Sequence, residues 1–134
     1  MMISRNQEHE LIMVCIYDAL IYTEMDEVFS LEDVMEGVFM TPYDEIPYFS
    51  KEVVIKSLAH VNEIKEVYQR YMPKWNFDRL NAVERAVLLM SYANYHYIKG
   101  VDKSVVIDLA VRLSKIYLDK DDYKFVNGIL DNVL

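Results

Sequence analysis

Residues 121–133 read DDYKFVNGILDNV, and how that stretch is read sets the fold class. Asn127 and Gly128 form a favoured pair for a two-residue hairpin turn, which would put a strand on either side. The apolar residues point the other way. Phe125, Val126, Ile129, Leu130 and Val133 fall three and four apart, the spacing of one helix face rather than the strict alternation of a half-buried strand. The stretch predicts a last helix preceded by Asp121 and Asp122, with Gly128 permitting close helix packing.

The same period extends back toward the N-terminus. A helix from about Ser104 is expected to bury Val105, Leu109, Leu113, Ile116 and Tyr117. Asn81 and Glu84 have capping-box spacing, the Asn accepting from an orphan amide and the Glu reaching back, and the helix they open runs to Lys99, with Gly100 placed for a left-handed cap. Pro73 stops the preceding segment, and PKWNFDRL (73–80) reads as an ordered connection whose Trp75 and Phe77 plug the core, a ligand-stacking Trp75 being the alternative. From Phe49 to Tyr71 the positions Val54, Leu58, Val61, Ile64, Tyr68 and Tyr71 predict one long amphipathic helix. Ser30 with Asp33 opens a shorter one, closed by a loop at Pro42 and Pro47, and Ser4 with Gln7 caps a first, largely buried helix reaching about Tyr22. No segment reads convincingly as a strand, so the expected fold is all-α, a single helical domain over 1–134.

Composition agrees. A chain of 134 residues can bury about two thirds of its unfolded surface, and 53% hydrophobic residues with 3 Gly and 3 Pro exclude a disordered or collagenous chain. The formal net charge is -8, which argues against nucleic-acid binding by bulk electrostatics and leaves only a local contact. The charge is uneven: residues 1–72 carry five basic and fourteen acidic residues, residues 73–134 nine basic and eight acidic. Nine carboxylates and no Lys or Arg lie between Asp18 and Glu45, a solvated acidic face or an attraction for a basic partner. The lone Cys15 excludes an internal disulfide and sits in an apolar run, as a reduced, buried thiol would. That run is far short of the roughly 18 residues of a membrane span, and Glu8 and Glu10 precede it, unlike the basic start of a signal peptide. A cytoplasmic protein with no membrane association is expected.

Enzymatic patterns are missing. His9, His60 and His96 lie too far apart for a local metal motif, and Asp119, Asp121 and Asp122 begin like a calcium loop without its Gly or its closing Glu. No phosphate-cradling Gly loop, nucleophile elbow or HExxH occurs. Tyr92, Tyr95 and Tyr97 form an aromatic patch with Lys99 as its only nearby cation, which suits helix packing better than RNA stacking. Neither catalysis nor a metal or cofactor is expected.

Three ordered stretches carry a resemblance. KFVNGILD (124–131) is close to KFVNGVLD, VVIDLAVRLSK (105–115) to VAINEAVELAK, and ERAVLLMSY (84–92) to ERAILRLAxYE, all signatures of the NusB family of bacterial transcription antitermination factors. The first half is similar more weakly, through helix spacing and Tyr17 at the family's ALY element. The resemblance implies about seven helices in two small packed subdomains, bridged by the first helix. It also implies function: pairing with NusE, a small ribosomal-subunit protein, and gripping boxA-type nascent RNA of ribosomal RNA operons within the RNA polymerase antitermination complex. Family members occur as monomers and homodimers.

Residue by residue, the resemblance implies an RNA surface at Arg5, Lys124 and Phe125, with Asp121 at its edge, and a NusE face at Tyr17 and Glu84. Core packing competes with base stacking for Phe125, and helix capping competes with partner contact for Glu84. Two departures stand out: where the family carries a run such as RRxAR this chain has Asn6, Gln7, Glu8 and His9, and the Arg that follows ERAIL is Leu89. Lost phosphate contacts weaken binding and flatten its salt dependence. A diverged NusB-like interaction module with weak or no RNA binding is therefore the alternative. A related domain precedes some RsmB-type RNA methyltransferases, whose cofactor-binding half has no counterpart among these 134 residues, so methyl transfer is not expected.

Overall fold

The computed structural model describes residues 2–134. Among them are seven α-helices and no strand: α1 Arg5–Glu24, α2 Leu31–Phe39, α3 Tyr48–Ala59, α4 Val61–Arg70, α5 Ala82–Ala93, α6 Lys103–Tyr117 and α7 Asp122–Val133. Each helix sends at least one side chain into a shared core, in chain order Ile12 and Ile16, Met35, Val54, Ile64, Leu88, Leu113 and Leu130, all at 1% exposure or less. Burying each such side chain contributes about 1.5–3 kcal/mol. The helix α1 packs against α2 and α3 on one side and α5 and α6 on the other, so it bridges the halves as expected.

Where a helix starts as read, the reason is a local hydrogen bond. Ser4 Oγ accepts from Gln7 N at 3.1 Å and Gln7 Oε1 accepts from Ser4 N at 3.0 Å, a complete capping box for α1. The Ser30 hydroxyl accepts from Asp33 N at the head of α2. Cys15 is fully buried on α1, and loss of solvation, then the charge of Asp18, push its thiol up to about 12, so it stays protonated at neutral pH.

Several expectations fail. The long helix of 49–71 is two helices, broken at His60 (φ -110°, ψ 20°). His60 N donates to Lys56 O to close α3, its carbonyl accepts from Ile64 N to open α4, and its ring stacks on Tyr97 at 4.5 Å. In one straight helix Val54 and Ile64 would point about 80° apart; the break lets both reach full burial. The α5 helix ends in a π-helical turn, Asn94–Ile98, and the left-handed cap falls on Lys99 (φ 62°) rather than Gly100. Asn81 Oδ1 accepts from the N2 amide of Val83 at 2.8 Å and Glu84 does not reach back, so Asn81 caps α5 without a capping box.

The core also differs in detail. Phe77 is buried as expected, but Trp75 is 59% exposed. Ile116 and Tyr117 leave the core in the last turn of α6. Gly128 is exposed and an added Cβ would meet no atom within 4 Å, so it serves no close packing. Tyr92, Tyr95 and Tyr97 are half-buried, with Tyr92 against Tyr68, His96 and Tyr97. No helix among the described residues is long and apolar enough to cross a membrane.

Candidate nucleic-acid interface and partner face

The start of α7 is built to stay open. Asp121, its N-cap residue, makes no side-chain cap bond; its carboxylate instead lies 3.5 Å from Lys124 Nζ, both side chains about two thirds exposed. Phe125 is half-buried at the edge of the core, and its ring tilts against exposed Trp75 at 6.4 Å between centroids. Together with Leu80, Glu84 and Asp122 these two rings line a cleft of about 150 Å³ between the 73–80 connection, α5 and α7. Outside it lies a shallower depression of about 520 Å³ bordered by Lys74, Asn76, Arg79 and Asn81. Aromatic faces beside cations are what stacking on bases and contact with phosphates require. The reading of Trp75 as a core plug missed this part of the site; its position in a polar, Pro-led connection was the available signal.

Glu84 faces the same cleft with 7% exposure and no hydrogen-bond or ion-pair partner among the described residues. Loss of solvation, then the neighbouring charge of Asp122, push its carboxyl up to about 7, so near neutrality the group is poised between neutral and charged forms. Its neighbour Arg85 is used structurally, bonding Glu24 at 2.6 Å and the Leu80 carbonyl at 3.0 Å. That ion pair fixes the start of α5 against the end of α1. Tyr17 is half-buried on α1 two turns before Glu24, hence on the same face. The helices carrying Tyr17 and Glu84 are thus packed together, whereas Arg5 sits at the far end of α1, away from the α7 cleft.

At the start of α1 little polar chemistry is left over. Gln7 closes the capping box. Glu8 Oε2 accepts from the buried Ser50 hydroxyl of α3 at 2.6 Å. His9 is 4% exposed, its Nδ1 donating to the Arg5 carbonyl at 2.8 Å and its Nε2 3.4 Å from the Asn94 amide nitrogen, and burial lowers its pKa below the ordinary histidine value. Arg5 and Asn6 remain exposed, on the rim of a depression shared with α6. Leu89, at the second position of the lost arginines, is fully buried. Among the described residues no group of three or more His, Cys, Asp or Glu is arranged to hold a metal ion.

The sequence profile of the NusB family matches residues 8–134, which takes in α2 to α7 and all of α1 but its first three residues. The chain belongs to the NusB family. The transcription antitermination protein NusB of Methylacidiphilum infernorum is 32% identical over 135 residues, covering 99% of this chain and 92% of that protein. That of Treponema denticola is 38% identical over 85 residues, 63% of this chain and 62% of that protein. The matches to the Treponema and Finegoldia magna NusB proteins span about three fifths of those proteins' lengths, 62% and 63%. In three dimensions the chain superposes on T. maritima NusB with a TM-score of 0.85 at 23% identity, over 99% of this chain and 92% of that one. It superposes on antitermination factors NusB and NusE in complex with double-stranded RNA with a TM-score of 0.77 at 23% identity, over 96% and 94%. These likenesses establish the NusB fold for the all-α arrangement described above.

Proposed function

We propose that this chain is a NusB-type transcription antitermination factor that pairs with NusE and binds boxA-type nascent RNA of ribosomal RNA operons in the antitermination complex. The start of α7 carries this reading: Lys124 is exposed, and Phe125 and Trp75 form an accessible aromatic pair beside it. Lys124 would hold a phosphate, Phe125 would stack on a base and Asp121 would border the path. Glu84, short of a partner on the α5 side of the same cleft, and Tyr17 on the adjoining α1 would meet NusE, whose basic groups suit a buried carboxylate. Its mechanism is assembly without catalysis. RNA held beside the polymerase raises the effective concentration of the complex's other members.

A second reading is favoured by one observation. Glu27, Glu32, Asp33, Glu36, Asp44 and Glu45 are all exposed around α2, a surface suited to a basic protein other than NusE. Fluorescence anisotropy of a labelled boxA-type RNA separates the two, measured with and without NusE at two salt concentrations. Salt-sensitive binding that tightens with NusE is expected. A folded protein that binds neither RNA nor NusE would overturn the first reading in favour of the second.

A further inference from the structure

The polar residues after Arg5 are taken up by the fold, so the first turn of α1 offers a phosphate one cation and Asn6. Arg5 is nevertheless not isolated. It lines a depression of about 230 Å³ together with Arg112 of α6. Lys115 follows Arg112 by three positions, about 4.5 Å along the helix and on the same face. Its Nζ lies 4.7 Å over the ring of Tyr123, the residue before Lys124. Arg112 and Lys115 are exposed, and neither they nor Arg5 have a carboxylate within 4.0 Å among the described residues.

We infer that the RNA path of this chain crosses the outer face of α6, with Arg112 and Lys115 holding phosphates between Arg5 at one end and Lys124 at the other. This rests on the RNA-binding reading above and assigns to α6 the contacts that the start of α1 does not make. Cations there lead toward the Phe125 and Trp75 rings, so the ridge joins phosphate contacts to a stacking platform, a combination that fits a single strand. Carboxylates lie along it too. Glu10 accepts from the Tyr117 hydroxyl at 2.7 Å, Asp121 pairs with Lys124, and Asp108, on the rim beside Arg5 and Arg112, has no ion-pair partner. Asp108 therefore opposes binding, as do Asp119, four residues after Lys115, and Asp122, next to Tyr123, whereas Lys120 adds a further exposed cation.

The test is the salt dependence of binding to a labelled single-stranded boxA-type RNA in the presence of NusE, comparing the native chain with R112A/K115A, D108N and, as an equal loss of charge elsewhere, K51A/K56A. Each lost phosphate contact lowers the slope of log affinity against log salt by about 0.7 for a single strand, so R112A/K115A should lower it by about 1.4 and weaken binding about tenfold or more at low salt. D108N should tighten binding, an outcome that a merely structural role for α6 does not produce. K51A/K56A should leave the slope nearly unchanged. If the native chain binds but R112A/K115A retains its slope and affinity, the α6 path is wrong and the RNA-binding reading survives. If R112A/K115A and K51A/K56A weaken binding equally, only net charge is at work and the α6 path is again wrong. If the native chain fails to bind, both fall.

Discussion

The starts of α1 and α7 look alike on paper, each a polar run leading into an apolar face, yet the structure uses them in opposite ways. At α1 the polar side chains are spent inside the molecule: Ser4 and Gln7 cap each other, Glu8 holds Ser50 and His9 is buried against Asn94. At α7 the N-cap residue makes no side-chain cap bond, and Lys124 and Phe125 face outward or half outward. A helix start whose side chains satisfy its own backbone and its neighbours has little left for a ligand. One whose side chains are not so engaged keeps them for a partner, and this difference is why the proposed RNA surface lies nearer α6 and α7 than the head of α1.

The sharpest way to break the contrast is to put an arginine back where the family has one. H9R would force a guanidinium into a site 4% exposed, and a loss of about 3 kcal/mol in stability is expected in urea denaturation. A variant as stable as the native chain, with tighter RNA binding, would show that the head of α1 is an open surface after all.

A somewhat smaller effect belongs to Glu84, on the α5 side of the α7 cleft. Its carboxyl is pushed up to about 7 from an ordinary 4.5, so the folded state binds more protons than the unfolded one between those values. Stability from this group is therefore greatest below about pH 4.5 and declines as pH rises toward 7, by roughly 1–3 kcal/mol in total. Denaturation midpoints across that range should show the decline in the native chain and its loss in E84Q. An unchanged slope in E84Q would mean that other groups set the pH dependence.

Paired cap deletions test the contrast directly. S4A should cost about 1 kcal/mol by opening the capping box of α1, whereas D121A, which removes only an exposed ion pair, should change stability by less than about 0.5 kcal/mol. Equal losses would remove the distinction between the two helix starts. Close in size to S4A and opposite in sign, G128A should stabilise α7 by about 0.8–1 kcal/mol, because the position is exposed, mid-helix and free of neighbours. A destabilised G128A would restore the close-packing role that its sequence context suggested.

Much of this was legible in sequence. The Ser4–Gln7 pair announced its capping box, the spacing around Ile129 and Leu130 outweighed the Asn-Gly turn signal, and three ordered motifs pointed to the family. Of the candidate site, Lys124 and Phe125 lie where sequence put them, at the accessible start of α7. Trp75 was read inward because a lone tryptophan usually packs, even though its own connection is polar, and Arg112 drew no notice because a single cation on a helix face looks the same whether or not another helix brings Arg5 beside it. The break at His60 left no Gly or Pro behind it; only competition between two buried faces reveals it.

By itself, then, the sequence determined the helical period, most helix boundaries and the family, because capping bonds and amphipathic spacing act within a few residues of one another. Which polar side chains were free was decided only by the tertiary structure. Whether Glu8 meets solvent or Ser50, whether His9 carries charge or packs against Asn94, and whether Arg112 stands beside Arg5 depend on residues 42, 85 and 107 positions away, and solvation and charge pairing are set by what those distant residues place within a few ångströms.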